Sequence, residues 1–304
     1  MTPLDLFTDY TLRNVALGSA LLGVTGGVIG AFTMLRRQSL LGDALAHAAL
    51  PGVCLAFLLT GSKAPLWLLL GAGLSGWLGA LAVITVLKYT RLSEDAALGT
   101  MLSAFFGFGI ALLTFIAGSG DANQSGLDKF LFGQAATIVA ADVTVMAALS
   151  AVGLGLVALL FKEFKLITFD PTYAHTLGYP TGRLGTLLTS LAVIAVMVGL
   201  QTVGVVLMAA MLIAPPAAAR QWTDQLGRML LLSAVFGALS GVVGAVISAG
   251  NANLPTGPVI IVVASAVLLI SLFLAPKRGL LWAKFTSMRR GRELREAMRR
   301  GVRP

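Results

Sequence analysis

The chain predicts an all-α, polytopic membrane protein with about eight or nine membrane-crossing helices and one short helix between two of them. Three observations carry this. Hydrophobic residues make up 57% of the 304 positions and charged residues only 12%, about half the charge of an ordinary soluble domain. Mean hydropathy is +0.89, and apolar runs repeatedly reach the roughly 20 residues that a helix needs to cross a bilayer. No long polar stretch interrupts these runs.

Taken in order, crossings are expected at 14–35, 40–60, 65–88, 94–118, 137–162, 184–203, 204–220, 226–250 and 255–276. Ser93, Glu94 and Asp95 open the fourth, since a helix N-terminus favours negative charge. The stretch 184–220 is long for one crossing and short for two. It reads as a tight hairpin or as one helix broken around Gln201 to Gly204. Gly23 with Gly27, Gly26 with Gly30 and Gly237 with Gly241 recur at the spacing that lets helices approach closely in lipid; ordinary bundle packing accounts for them. The chain thus divides into an N-terminal segment 1–13, a transmembrane domain 14–276 and a basic tail 277–304.

Lysine and arginine set the orientation, because cytoplasmic loops carry them in excess. With the C-terminus inside, nineteen of the 22 Lys and Arg residues fall on the inner side, and Arg13, Lys63 and Lys129 fall outside. Nine crossings and an external N-terminus follow. The opening MTPLDLFTDYTLRN is acidic, unlike the basic start of a secretory signal. The net charge of +9 gathers in the tail, where Leu280, Leu281, Trp282 and Phe285 alternate with basic residues. That tail either lies on anionic lipid or is disordered; nucleic acid is not an expected partner. The polar stretch AGSGDANQSGLDKF reads as an external loop and a landing site for a binding protein.

The stretch SLLGDALAHAALPG raises the chemical question, for it puts ionisable groups inside an apolar crossing. Asp43 and His47 are four residues apart, hence on one helix face. A carboxylate oxygen and a neutral imidazole nitrogen suit a divalent transition metal better than sodium or potassium. Pro51 withdraws the donor for the carbonyl of His47, and an unpaired carbonyl is costly in a bilayer. The helix is therefore expected to be irregular beside the pair. A second reading is open: Asp43 pairs with Arg36 or Arg37 at the interface and His47 donates to a neighbouring helix. Cys54 falls near the same face, although a buried free cysteine usually behaves as a small hydrophobe. As the single cysteine it forms no internal disulfide.

The stretch FDPTYAHTLGYP spells a short helix. Asp170 suits the N-cap, Pro171 the first helical position and Gly178 the stop. About seven residues are too few for a stable helix in water, so it must dock, either on the protein's own loops or on a partner. Asp142 lies one turn inside the fifth crossing, and either assists transport or hydrogen-bonds to Thr137 or Gln134. Met208 and Met211 read as core.

The wording RRQSLLGDALAHAALPGVCLAFLL resembles the second-helix segment of the permease subunits of bacterial ABC importers for manganese, zinc and iron. EDAALGT, LDKFLFGQAA, TFDPTYAHTLGYP, MLIAPPAAAR and LPTGPVIIV agree in the same order. The resemblance covers about residues 14 to 276. It implies a metal import pathway in the bacterial cytoplasmic membrane, with Asp43 and His47 matching the family's metal-ligating aspartate and histidine. It implies a permease dimer, from two copies or two related permeases, with two such pairs facing each other. It also implies an external metal-binding protein and an ABC ATPase. The ATPase would receive the segment 168–180, including Asp170, Pro171, Tyr173 and Gly178. Cys54 departs from the small residue usual there, and no ligand role carries over to it.

The chain has no Walker motif; GSKAP lacks the glycine-rich pattern of a phosphate loop. No nucleophile triad or CxxC is present. No cofactor and no enzymatic activity are therefore expected in this chain, and ATP belongs to the partner. Manganese is the expected cargo, from the oxygen and nitrogen donors and from the likeness of LDKFLFGQAA to manganese-type members. Zinc and ferrous iron come next. A secondary metal transporter or a channel is the alternative.

Overall fold

The computed structural model describes residues 9–38, 40–62, 64–118, 133, 138–200, 202–250, 254–276, 279 and 282. Among these the chain forms α1 (Tyr10–Leu35), α2 (Leu41–Thr60), α3 (Pro65–Tyr89), α4 (Glu94–Gly118), α5 (Ala140–Leu159), α6 (Phe161–Phe169), α7 (Pro171–Thr176), α8 (Thr181–Leu200), α9 (Gly204–Trp222), α10 (Leu226–Gly250) and α11 (Thr256–Leu274). Eight of the described helices are long and apolar enough to cross a membrane, namely α1 to α5, α8, α10 and α11. The protein is an all-helical, multi-pass membrane protein.

The ambiguous stretch 184–220 is two helices. Thr202 and Val203 separate α8 from α9, and Gly204 holds a φ of 77°, a value that favours glycine. The bend is locked from outside: a side chain on Gly133 would collide with the backbone of Thr202 and Val203. α9 keeps 19 helical residues despite Pro215 and Pro216, and packs against α1, α10 and α11.

Several boundaries differ from the sequence expectation. The fifth crossing stops at Leu159 rather than 162, and the chain turns at Leu160 into a separate helix, α6. The reason lies in FKEFKLITF: Phe164 and Ile167 are buried while Lys162 and Lys165 are exposed. That pattern fits a helix lying at an interface better than one crossing lipid. The short helix α7 has six residues, not seven. The first crossing begins at Tyr10, where the Asp9 carboxylate accepts hydrogen bonds from the N–H groups of Thr11 and Leu12.

α1 is the central helix. Its small residues pack antiparallel on α10: a side chain on Gly23 would strike the carbonyl of Gly237, one on Gly27 that of Ser233, and one on Gly241 that of Ser19. These are the glycines that stand at packing spacing in the sequence. Inside the bundle Thr25 donates to Ser150 at 2.8 Å.

The two ends of the bundle can be told apart by their contacts. At one end the Ala140 N–H donates to the Tyr10 hydroxyl at 3.1 Å, and Val15, Ala16, Ile138 and Ala245 form a small apolar cluster. At the other, Phe32 meets Phe164 edge-to-face at 6.0 Å and Arg36 lies against Gly185. α1 and α5 therefore run in one direction, and α8 and α10 in the opposite one. Residues 119–130 of the loop AGSGDANQSGLDKF, the LDKFLFGQAA stretch apart from Gly133, most of the basic tail and the first eight residues lie outside the described residues.

Candidate functional site

α2 is gripped on three sides. A side chain on Gly52 would strike the Gly71 carbonyl of α3, Leu50 packs on Gly109 of α4, and Leu212 of α9 fills the space beside Gly42. These close approaches bury nearly the whole N-terminal part of the helix. From Leu41 through Cys54 every residue is buried except Asp43 and His47, so the two polar residues are also the two that reach the chain's surface.

The four-residue spacing brings them together. His47 Nε2 stands 3.4 Å from Asp43 Oδ1, with side-chain exposures of 13% and 32%. The imidazole ring meets Phe106 of α4 edge-to-face, with centroids 4.6 Å apart and planes at 72°. His47 Nδ1 is buried and has no hydrogen-bond partner among the described residues. Asp43 thus turns to His47 rather than to Arg36 or Arg37. Arg36 instead sits against Gly185 of α8 with Glu94 of α4 nearby, and Arg37 holds a φ of 63°.

The proline does not break the helix. α2 runs unbroken from Leu41 to Thr60 with Pro51 buried inside it. A hydrogen bond from α3 braces the neighbouring turn: the Ser75 hydroxyl donates to the Ala48 carbonyl at 2.6 Å, one residue beyond His47.

Cys54 is not brought into the pair. Its thiol is fully buried and points to the Gly109 carbonyl at 3.8 Å. Among the described residues no three of His, Cys, Asp and Glu gather closely enough to hold an ion. Asp142 turns back on its own helix start, where Oδ2 accepts from the Val139 N–H at 3.2 Å; Thr137 and Gln134 lie outside the described residues. Glu94 and Asp95 occupy the first turn of α4, with Ser93 Oγ accepting from the Ala96 N–H. Met208 and Met211 are buried core residues.

The 168–180 segment forms at the end of the bundle that also holds Arg36. Asp170 Oδ1 accepts from the Tyr173 N–H at 2.8 Å, Pro171 opens α7 and Gly178 follows it with a φ of 85°. Ala174 is buried, whereas Tyr173, Leu177 and Tyr179 are exposed at 53%, 53% and 38%. So α7 is anchored by one small residue and shows a row of large apolar ones. Phe106 and Ser75 carry no signal in the sequence. One is an aromatic in an apolar run and the other a lone serine, and only the packing of α3 and α4 on α2 gives them neighbours.

Comparison with known proteins agrees with this architecture. The model of the ABC 3 transport family matches residues 8–275. The zinc transport system membrane protein TroC of Treponema pallidum is 49% identical over 278 residues, covering 91% of this chain and 93% of that protein. The manganese transport system membrane protein MntC of Bacillus subtilis is 51% identical over 266 residues, covering 88% of this chain and 61% of the longer relative. Among solved structures, PsaBC from Streptococcus pneumoniae in complex with Fab superposes with a TM-score of 0.81 at 32% identity, covering 92% of this chain and 97% of the other. A match over nearly the whole transmembrane domain, at this identity and on the same helical architecture, places the chain in the ABC 3 transport family.

Proposed function

We propose that the chain is the membrane permease of an ATP-driven importer for a divalent transition metal, with Asp43 and His47 as ligands for the cargo. One observation carries the site. In the tightly packed first half of α2, the only residues left unburied are a carboxylate and an imidazole whose donor atoms lie 3.4 Å apart. Ionisable groups in a membrane-spanning helix are costly and mark ion pathways by default. Two donors leave a transition metal short of the four or more ligands it ordinarily takes. The pair opens at the surface of the chain, so a second permease, this chain again or a related one, supplies the rest. Two pairs face each other across a two-fold axis.

Family membership favours ATP drive over a secondary transporter or a channel. With no Walker motif in this sequence, ATP is hydrolysed by a separate ABC subunit. That subunit receives α7 and the exposed Tyr173, Leu177 and Tyr179. From the Lys and Arg distribution we take α7 and the C-terminus as cytoplasmic and the N-terminus as external, which requires α9 to cross the membrane with the eight longer apolar helices; a metal-binding protein delivers the ion from outside. The ion then shifts a conformational equilibrium only by its differential affinity for the outward and inward states.

Manganese is the favoured cargo. Relatives named for zinc and for manganese are almost equally similar, so the preference rests on the donor set. Oxygen with one imidazole and no thiolate suits Mn²⁺, although zinc would bind most such sites more tightly. The test is uptake of Mn²⁺, Zn²⁺ and Fe²⁺, each alone, into proteoliposomes holding the chain with its ATPase. Manganese uptake that requires ATP, Asp43 and His47 supports the reading; uptake that survives Asp43→Ala and His47→Ala unchanged defeats it.

A further inference from the structure

The environment of His47 differs from that of an ordinary metal-binding histidine. Such a histidine commonly donates its second ring N–H to a carboxylate, a carbonyl or water, which fixes the ring and makes it a better donor. Here, among the described residues, Nδ1 is buried without a hydrogen-bond partner, and the ring packs edge-to-face with Phe106 from another helix. Asp43 is on the Nε2 side, at 3.4 Å. Nothing polar therefore holds the ring from behind, and its orientation is set by an aromatic contact across the α2–α4 seam.

We infer that Phe106 is a positioning residue for the cargo site: its edge-to-face contact holds the His47 imidazole with Nε2 toward Asp43, in place of a hydrogen bond to Nδ1. The inference rests on the reading of Asp43 and His47 as metal ligands. It has a consequence for transport. A ring oriented by packing is a weaker donor than one that also gives away its second proton, so the ion is held in register without being held fast. α2 and α4 both border the site, and any sliding of one on the other changes the Phe106 contact. The grip on the ion is thereby tied to the relative position of the two helices.

The test uses the intact chain with its ATPase in proteoliposomes and Mn²⁺ as the probe, with KM and kcat for uptake measured separately. Direct Mn²⁺ binding to the same preparation without nucleotide is followed by the electron paramagnetic resonance of the free ion. Phe106→Leu keeps the apolar volume and removes the ring edge. It is expected to weaken binding and raise KM by about two- to tenfold, the range of an aromatic pair contact, with kcat within twofold of the parent. Phe106→Tyr keeps the ring and is expected to restore both values. If Phe106→Leu leaves binding and KM unchanged while His47→Ala abolishes binding, the positioning role is overturned and the ligand reading stands. If Phe106→Leu and Phe106→Tyr lose kcat and thermal stability equally, the residue is only structural and the inference is likewise overturned. If His47→Ala binds Mn²⁺ as the parent does, the ligand reading falls and this inference falls with it.

Discussion

Two short stretches of this protein carry the same pair of residues at almost the same spacing and use them differently. In α2, Asp43 and His47 are four apart and their donor atoms stand 3.4 Å from each other. At α7, Asp170 and His175 are five apart, Asp170 binds the Tyr173 N–H, and His175 is exposed. Helix phase separates them. Four residues bring two side chains to one face, whereas an aspartate that precedes a helix spends its oxygens on the backbone N–H groups of the first turn. On the proposed function, the first aspartate is left to meet an ion, and the second caps a helix offered to a partner.

The comparison is broken most severely by removing either member of the first pair. Groups that merely support a metal ligand cost about 10- to 100-fold in affinity or activity when mutated. Asp43→Ala or His47→Ala should therefore lower ATP-dependent Mn²⁺ uptake by more than that, with the folded complex recovered in normal yield. Next in size is Asp170→Ala. Losing an N-cap costs about 1 kcal/mol, a large amount for the six residues of α7. Uptake should fall several-fold while ATP hydrolysis continues and Mn²⁺ binding is unchanged; Asp170→Asn, which can still cap, should restore coupling. Normal coupling in Asp170→Ala would remove α7 from the path between nucleotide and transport.

Smaller effects sharpen the contrast. Ser75→Ala deletes the brace to the Ala48 carbonyl, and a hydrogen bond of this kind contributes about 1 kcal/mol. A fall of a few degrees in thermal midpoint is expected, with uptake affected less than by either ligand change. Cys54→Ala should keep uptake within twofold, since its thiol faces the Gly109 carbonyl; a large loss of metal binding there would add the thiol to the site. His175→Ala should change neither uptake nor ATP hydrolysis measurably, because its side chain lies on the exposed side of a cap that does not use it.

Much of this was legible in the sequence because lipid restricts the choices. Backbone polar groups must be satisfied within a helix in the bilayer, so each long helix follows an apolar run, with ends a few residues from those expected. Helix phase alone paired Asp43 with His47, and the order Asp, Pro, Gly gave α7 its cap, start and stop. α6 was missed because Lys162, Glu163 and Lys165 read as the polar end of the fifth crossing, and nine residues of mixed character do not announce a helix of their own. The continuity of α2 through Pro51 was missed for a different reason. A proline's local effect is written in the sequence, but the Ser75 brace and the Gly52–Gly71 approach come from a separate helix, α3. Phe106 was hidden likewise, as a contact between two helices that share no pattern.

The central claim is that Asp43 and His47 hold the transported ion. Its most direct test is diffraction from crystals of the Mn²⁺-loaded permease complex at the manganese absorption edge. An anomalous peak within bonding distance of Asp43 Oδ1 and His47 Nε2 is the expected result. A peak elsewhere in the membrane domain, with these two side chains still turned only toward each other, would contradict it.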